Sequence, residues 1–387
     1  MTTIKIKPVI KHYKWGDDTF IPSLLGLPVT GEPCGELWFG THSNGEATLP
    51  DGSLLSHLLQ KEAPTYLGKG QGDLPFLLKV LSIAQPLSLQ VHPSVDQAQA
   101  GWAKEAPLRG VLKEEELNYK DPHQKAEVLY ALAPVTALYG FLPIEEIEHN
   151  FKEIFPSALI EGLFKSLKHF FAALYALDKT TLNSLLNSYK TYLKGREVNR
   201  EGQWLTREGI GQTCLKLYPH DVGVLAPYFM NTLHLKPGEA IYLAPRTLHA
   251  YVKGHGIELM SNSDNVLRGG LTTKKVDTAE LMEILEFSSV KGELAPQRYD
   301  EAGCLNVIAP TDDFMLGVFK EGSYTLRGQT AIELLFSVQG ESILSKDREE
   351  VVIKRGECLV VPALMESYTL KVQGELFRAT LPPNKGR

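Results

Sequence analysis

The sequence has no dense block of basic residues and no apolar run long enough to cross a membrane. Its 387 residues carry a formal net charge of −6, from 40 Lys and Arg against 46 Asp and Glu. Nucleic-acid binding proteins gather their basic residues into a patch, so a nucleic-acid partner is not expected. A membrane helix needs about 20 apolar residues in a row. The N-terminal stretch 1–15 also lacks the apolar core of a signal peptide. We expect a cytoplasmic protein that contacts no membrane.

Cysteine is scarce, and the chain contains no CxxC pair. Cys34, Cys214, Cys304 and Cys358 lie far apart in the sequence. This pattern argues against a disulfide framework and against a zinc site made of thiolates. We expect reduced, mostly buried thiols.

Short apolar strands separated by glycine and proline turns predict a mainly β protein. One pattern occurs twice: the turns 236–239 and 354–357 each lead into an apolar strand and then a proline. Only the first copy is followed by a histidine, His249. The duplication predicts tandem jelly-roll barrels of the cupin kind, the second without a polar site. We also expect 231–244 and 249–260 to form two hairpins.

The apolar spacing changes to a helical period after Pro143. We therefore predict an all-α insertion over 144–220. Residues 1–143 and 221–290 would form the catalytic cupin domain, and 291–387 a C-terminal jelly-roll domain without metal. A capping box, Ser94 with Gln97, predicts a helix that runs to about Glu105 and buries Val95.

The stretch 87–93 has one apolar and one polar face if it is a strand. Leu87, Leu89 and Val91 would face the core, and Ser88, Gln90 and His92 would face the opposite side. With Glu127 and His249, Gln90 and His92 offer two imidazoles, a carboxylate and an amide oxygen. This mixed set suits a catalytic Zn²⁺, although Mn²⁺, Fe²⁺ or Co²⁺ would also fit. The plainer interpretation is a polar face exposed to water.

Several motifs, in order, resemble the type I phosphomannose isomerases. They are the QxHP motif at 90–93, the segments 119–127, 238–243 with 249–251, and 263–272, and the N-terminal blocks 13–16 and 36–42. The resemblance covers residues 1 to about 290, and the remainder matches only in overall character. One motif departs from the family pattern, since Gln124 stands where the family has a histidine and His123 precedes it.

The resemblance implies one zinc ion per chain, bound by Gln90, His92, Glu127 and His249. It also implies interconversion of mannose 6-phosphate and fructose 6-phosphate through a cis-enediol, so the partner would be a small sugar phosphate. We expect a monomer. A cupin oxygenase is disfavoured because such sites are usually richer in histidine. A non-catalytic sugar-phosphate sensor remains the alternative.

Further site residues follow from the same resemblance. Arg268 would stabilise the enediolate charge, or else pair with Asp264 on its loop. The proton-transferring group is left open between Lys125, Glu258 and Asp264. The predicted substrate contacts are Ser88, Lys79, Lys274 and Tyr251. For Lys274 a surface position, and for Tyr251 ordinary packing, would be equally consistent with the sequence.

Overall fold

The computed structural model describes residues 3–68, 72–200 and 204–383. Its strands are β1 Ile4–Ile6, β2 Val9–Lys11, β3 Glu36–Phe39, β4 Phe76–Ile83, β5 Leu89–Val91, β6 Glu127–Ala131, β7 Val135–Phe141, β8 Asn199–Arg200, β9 Trp204–Leu205, β10 Met230–Leu235, β11 Ala240–Leu243, β12 His249–Ser261, β13 Leu267–Gly270, β14 Gln297–Tyr299, β15 Leu305–Val307, β16 Met315–Phe319, β17 Gly322–Arg327, β18 Glu333–Lys346, β19 Glu349–Lys354, β20 Cys358–Val361 and β21 Ser367–Thr380. The α-helices are α1 Phe20–Leu25, α2 Leu55–Lys61, α3 Ala63–Tyr66, α4 Val95–Lys104, α5 Ile144–Ile154, α6 Ser157–Ile160, α7 Leu167–Tyr175, α8 Lys179–Leu193, α9 Arg207–Leu217 and α10 Thr278–Ile284.

Two large antiparallel sheets confirm the mainly β fold. A ten-stranded sheet contains β2 to β7 and β10 to β13, and a nine-stranded sheet contains β14 to β21 together with β1. The N-terminal strand β1 pairs with β20, with Ile4 opposite Val360. The first strand of the chain therefore completes the second sheet, while the boundaries given above for the three domains stay a prediction.

The two sheets share one apolar core. Phe39 of β3 packs against Phe336 of β18, with ring centroids 4.7 Å apart. Tyr130 of β6 meets Phe377 of β21 edge to face at 5.1 Å. These buried aromatic contacts exclude water from the junction and hold together the first barrel, formed by the ten-stranded sheet, and the second barrel, formed by the nine-stranded sheet.

The segment between β7 and β10 contains the helices α5 to α9 and the short strand pair β8–β9. Phe171 of α7 packs edge to face on Phe141 of β7 at 5.8 Å, which joins the helices to the first sheet. Thr206 caps α9 by accepting a hydrogen bond from the Gly209 N–H. The capping box on α4 is confirmed, but Val95 is 40% exposed, so its predicted burial is wrong.

Neither predicted hairpin forms. The turn after β10 is present, but β10 pairs with β7 and β11 pairs with β6. The second stretch is one continuous strand, β12, in which Gly254 has φ +128°. This glycine bends the strand without reversing it. The turn between β10 and β11 is confirmed, but strands distant in the sequence supply their hydrogen-bonding partners.

The remaining expectations concern thiols and membranes. Cys34, Cys214, Cys304 and Cys358 are all buried and unpaired, as expected. Within the described ranges, no helix has the length and apolar character needed to span a membrane.

Candidate metal centre and active site

Strand β5 lies between two strands that bring distant motifs to it. Gln90 is in register with His249 of β12 on one side and with Arg268 of β13 on the other. His92 follows at the end of the strand, where Pro93 cannot donate to the ladder. Three of the predicted site residues therefore meet around Gln90 although up to 178 positions separate them in the sequence.

Glu127 lies between two imidazoles at the start of β6. Its Oε1 is 3.4 Å from His92 Nε2, and its Oε2 is 3.5 Å from His249 Nε2. His92, Glu127 and His249 are all buried, and their ligand atoms lie within 4.8 Å of one another. The geometry brings one carboxylate and two imidazole nitrogens close enough together to bind the same metal ion.

The outer nitrogens of both imidazoles are already engaged. His92 Nδ1 lies 2.8 Å from the Asn265 carbonyl oxygen, and His249 Nδ1 lies 2.9 Å from that of Thr247. A carbonyl oxygen can only accept, so each Nδ1 carries a proton, and in the neutral form of each ring Nε2 presents a lone pair. His92 Nε2 is fully buried and has no hydrogen-bond partner among the described residues. Nitrogen lone pairs and a carboxylate repel one another unless a cation lies between them. The arrangement is therefore typical of a cation-binding site.

Lys125 forms an ion pair with Glu127 Oε1, and both side chains are buried. Burial alone would raise the pKa of Glu127, but Lys125 and the two imidazoles hold it well below the usual range. Burial and the neighbouring Lys125 charge lower the pKa of His92 to about 4. Glu127 is therefore ionised and His92 neutral at pH 7, which are the forms that bind a metal ion.

A second buried group adjoins the first. Lys79 of β4 lies 3.0 Å from Glu258 of β12 and 3.9 Å from Glu36 of β3. The Tyr251 hydroxyl donates a 3.0 Å hydrogen bond to Glu258 Oε1. Burial opposes the charge on Lys79, but Glu258 and Glu36 raise its pKa. Burial raises the pKa of Glu258, while Lys79 opposes the rise.

These charged groups line one small cavity together with Gln90 and His249. Three carboxylates, Glu36, Glu127 and Glu258, face two ammonium groups, those of Lys79 and Lys125. With the imidazoles neutral, the charged groups leave one excess negative charge. A divalent cation bound by Gln90, His92, Glu127 and His249 would more than offset it and leave one net positive charge. The donor set therefore fits a metal ion in both charge and chemistry.

Arg268 and Lys274 form a cationic region on β13 and the loop after it. Arg268 is half-buried and makes no ion pair or hydrogen bond through its guanidinium with any described residue. The Arg268 charge is the main cause that lowers the pKa of the exposed Lys274, which places the two cations close together. Asp264 does not pair with Arg268: its carboxylate accepts a hydrogen bond from Asn44 Nδ2 and lies 3.7 Å from His42 Nε2.

The cavity lining does not include Ser88, His123 or Gln124. Ser88 precedes β5 and does not line the cavity. Leu87 packs beside Tyr251, whereas Leu89 and Val91 join the core under the helices, so the three do not share one face as predicted. The strand begins only at Leu89, which explains the difference. His123 is exposed, and Gln124 donates a 3.0 Å hydrogen bond to Asp313.

Sequence reasoning assigned no role to three residues that build the site. Glu36 lines the cavity, and His42 faces Asp264. Asn265 holds His92 through its carbonyl, and its side-chain amide donates to the carbonyls of Asp121 and His123. A carboxylate within the apolar run 36–39 was a usable signal for Glu36. His42 and Asn265 lie within the motif segments 36–42 and 263–272, but their individual roles follow only from tertiary contacts.

The matching family models agree with this geometry. Residues 3–144 match the model for the phosphomannose isomerase type I catalytic domain, and 308–381 match that for the mannose-6-phosphate isomerase cupin domain. The mannose-6-phosphate isomerase of Escherichia coli K12 is 32% identical over 95% of this chain and 97% of its own. The human mannose-6-phosphate isomerase is 33% identical over 94% of each chain.

Solved structures match over nearly the full length. A crystal structure of the Salmonella typhimurium mannose 6-phosphate isomerase bound to fructose 6-phosphate and zinc superimposes with a TM-score of 0.89 at 31% identity, covering 99% of this chain and all of that one. A zinc-bound holo structure of mannose 6-phosphate isomerase also gives a TM-score of 0.89, at 30% identity over the same shares. The chain therefore belongs to the type I mannose-6-phosphate isomerase family.

Proposed function

We propose that the chain is a zinc-dependent aldose–ketose isomerase that interconverts mannose 6-phosphate and fructose 6-phosphate through a cis-enediol. The observation that carries this proposal is the buried His92–Glu127–His249 cluster, whose two Nε2 lone pairs face one carboxylate. Gln90, in register with His249, would supply the fourth protein ligand. The zinc- and fructose 6-phosphate-bound Salmonella relative supports the choice of metal and substrate.

The reaction moves one proton between C2 and C1 and another between their oxygens. Zinc, when bound, polarises the sugar oxygens and lowers the energy of the enediolate charge. Glu258 suits a proton-carrying role because burial raises the pKa of its carboxyl above the ordinary value. Lys125 is the second candidate, since it lies against Glu127 at the metal cluster. Asp264 is the third, although it lies outside the cavity lining.

The cations divide between the sugar and the phosphate. Lys79 is already balanced by Glu258 and Glu36, so we assign it to the sugar hydroxyls and to holding Glu258. Lys274 has no carboxylate partner among the described residues and is suited to the phosphate dianion. Arg268, equally unpaired, would stabilise the enediolate charge. Tyr251 lines the cavity and keeps Glu258 oriented through its hydroxyl.

Isomerisation in D₂O, followed by NMR, tests the proposal. Mannose 6-phosphate should become fructose 6-phosphate, and deuterium should accumulate at C1 over many turnovers because a cis-enediol exchanges with solvent. Absence of conversion by zinc-replete protein would contradict the proposed isomerase activity. Binding of the sugar phosphate without conversion would instead support the sensor alternative.

A further inference from the structure

Asp313 belongs to the second barrel, but its carboxylate reaches the first. It lies in the loop immediately before β16. Its Oδ2 accepts hydrogen bonds from Ser261 Oγ at 2.6 Å and from Gln124 Nε2 at 3.0 Å. Ser261 is the last residue of β12, and Gln124 lies three positions before Glu127. One acidic side chain thus holds two segments that lead directly into the metal centre.

Ser261 relays this contact to the peptide between two site residues. The Ala126 N–H donates to Ser261 Oγ at 3.2 Å, and the Ser261 N–H donates to the Ala126 carbonyl at 2.9 Å. The Ser261 hydroxyl has a single proton, and it donates that proton in its hydrogen bond to Asp313. The Ser261 lone pairs are therefore fixed toward Ala126, which stands between Lys125 and Glu127.

The apolar packing around these hydrogen bonds also connects the site to the second barrel. Lys79, Glu127 and Glu258 point toward the cavity from β4, β6 and β12, while their chain neighbours point the other way. These neighbours join the core shared with Phe336 and Phe377 of the second barrel; they are Leu78, Val80, Ala126, Val128, Ile257 and Leu259. Each of the three strands thus presents its site residue on one face and packs on the second barrel with the other.

We propose that the second barrel serves as the positioning element of the metal centre, and that Asp313 is its positioning residue. Asp313 fixes the backbone at Lys125 and Glu127 through Ser261 and Gln124. The roles of Lys125 and Glu127 in this inference rest on the function proposed above. The inference gives Gln124, the departure in the second motif, a purpose: it donates to Asp313 and does not enter the cavity.

Four variants and a control test this proposal. Asp313→Ala and Ser261→Ala each remove one end of the relay, and the double variant removes both. Asp313→Asn keeps an oxygen acceptor for Ser261. Asp312→Ala is the matched control, because the adjacent Asp312 is exposed and makes no hydrogen bond to a described residue. Zinc affinity is measured by competition with a chelator, and kcat and KM are measured at saturating zinc.

We expect Asp313→Ala to weaken zinc binding and lower kcat, each about tenfold, with little change in KM. Ser261→Ala should have an effect of similar size, and the double variant should be no worse than the poorer single one. Asp313→Asn should recover most of the loss, and Asp312→Ala should match the wild type. If Asp313→Ala does not fold, Ser261→Ala and Asp313→Asn are compared with the wild type instead.

Wild-type zinc affinity and kcat in Asp313→Ala or Ser261→Ala would overturn the inference. An equal loss in Asp312→Ala, or strictly additive losses in the double variant, would overturn it too. Zinc affinity is measured without turnover, so it tests the inference even if the wild type is inactive. A wild type that binds zinc but is inactive would contradict only the proposed function. A wild type that binds no zinc would overturn both.

Discussion

Lys79 and Glu258 stand directly opposite each other on β4 and β12, with Lys79 Nζ 3.0 Å from Glu258 Oε2. Their side chains are 8% and 4% exposed, so solvent screens this ion pair very little. The pair lies beside the metal cluster and shares its cavity. Substitution of either residue should therefore change both the stability of the first barrel and the charge balance in the site.

Glu258→Gln should lower both activity and stability. Among the described residues, the change leaves Glu36, at the longer distance of 3.9 Å, as the one remaining carboxylate within ion-pair distance of Lys79. We expect a loss of about 1–3 kcal/mol in the free energy of unfolding and a large fall in kcat, with zinc retained. Urea unfolding and steady-state kinetics measure these effects. Glu115→Gln is the control, because the Lys113–Glu115 pair is 79% exposed on both sides. Unchanged kcat in Glu258→Gln would remove Glu258 from the mechanism.

Arg268→Ala and Lys274→Ala should separate turnover from binding. Arg268 is unpaired within the described chain and would act on charge that develops during reaction, so its loss should lower kcat about 10²–10³-fold. Lys274→Ala should mainly raise KM, because a phosphate contact is present in the substrate as well as in the transition state. Zinc content should equal that of the wild type in both variants. Loss of zinc from Arg268→Ala would show that it supports the metal ligands instead.

The metal-free protein should lose stability on acidification below about pH 6.5. Burial lowers the pKa of His42, His92 and His255, with that of His92 near 4. Between these pH values these three imidazoles bind more protons in the unfolded chain than in the native one, so the stability that they contribute falls as pH falls. Unfolding in urea at pH 7.0 and 5.0 measures the loss.

His255→Phe tests the contribution of one of these imidazoles. His255 stacks on Phe20 with ring centroids 4.1 Å apart, so phenylalanine retains the stacking and removes the titration. The variant should lose less stability than the wild type between pH 7.0 and 5.0. An identical loss in both proteins would show that His255 takes no part in the pH dependence.

Much of the candidate metal centre follows from the sequence, because its proposed ligands lie in motifs with recognisable local order. Gln90 lies in β5 and His92 directly follows the strand, two positions later, while His249 follows a turn and a proline. Their convergence on Glu127 depends on strand register, which the family motifs imply and spacing alone does not fix. The mainly β fold follows from the short strands and from the repeated turn pattern.

The parts that were missed are non-local. The sequence identifies the turn at 236–239, but it does not show that β10 and β11 pair with β7 and β6. Gly254 has the residue type of a turn and instead accommodates a bend in a 13-residue strand. Asp313 contacts Ser261 across 52 positions, a distance at which neither propensity nor periodicity carries information.

Gly254→Ala should test that bend. A Cβ at this position would lie 2.5 Å from the Pro134 carbonyl oxygen, and φ is +128°. We expect a loss of about 1–3 kcal/mol in the free energy of unfolding, together with weaker zinc binding, because the bend separates His249 from Glu258 on the same strand. Gly72→Ala is the control, since a Cβ there meets no atom within 4 Å. Equal stability of the two variants would contradict the account of β12.

The most direct test of the central claim is a coupled mannose 6-phosphate isomerase assay on one preparation before chelation, after chelation and after return of zinc, with the zinc content measured each time. We predict one zinc per chain, full activity in the first and third states, and little activity in the second. Substitution of Gln90 or His249 by Ala should remove zinc and activity together. Folded protein that contains zinc and does not convert mannose 6-phosphate would contradict the account.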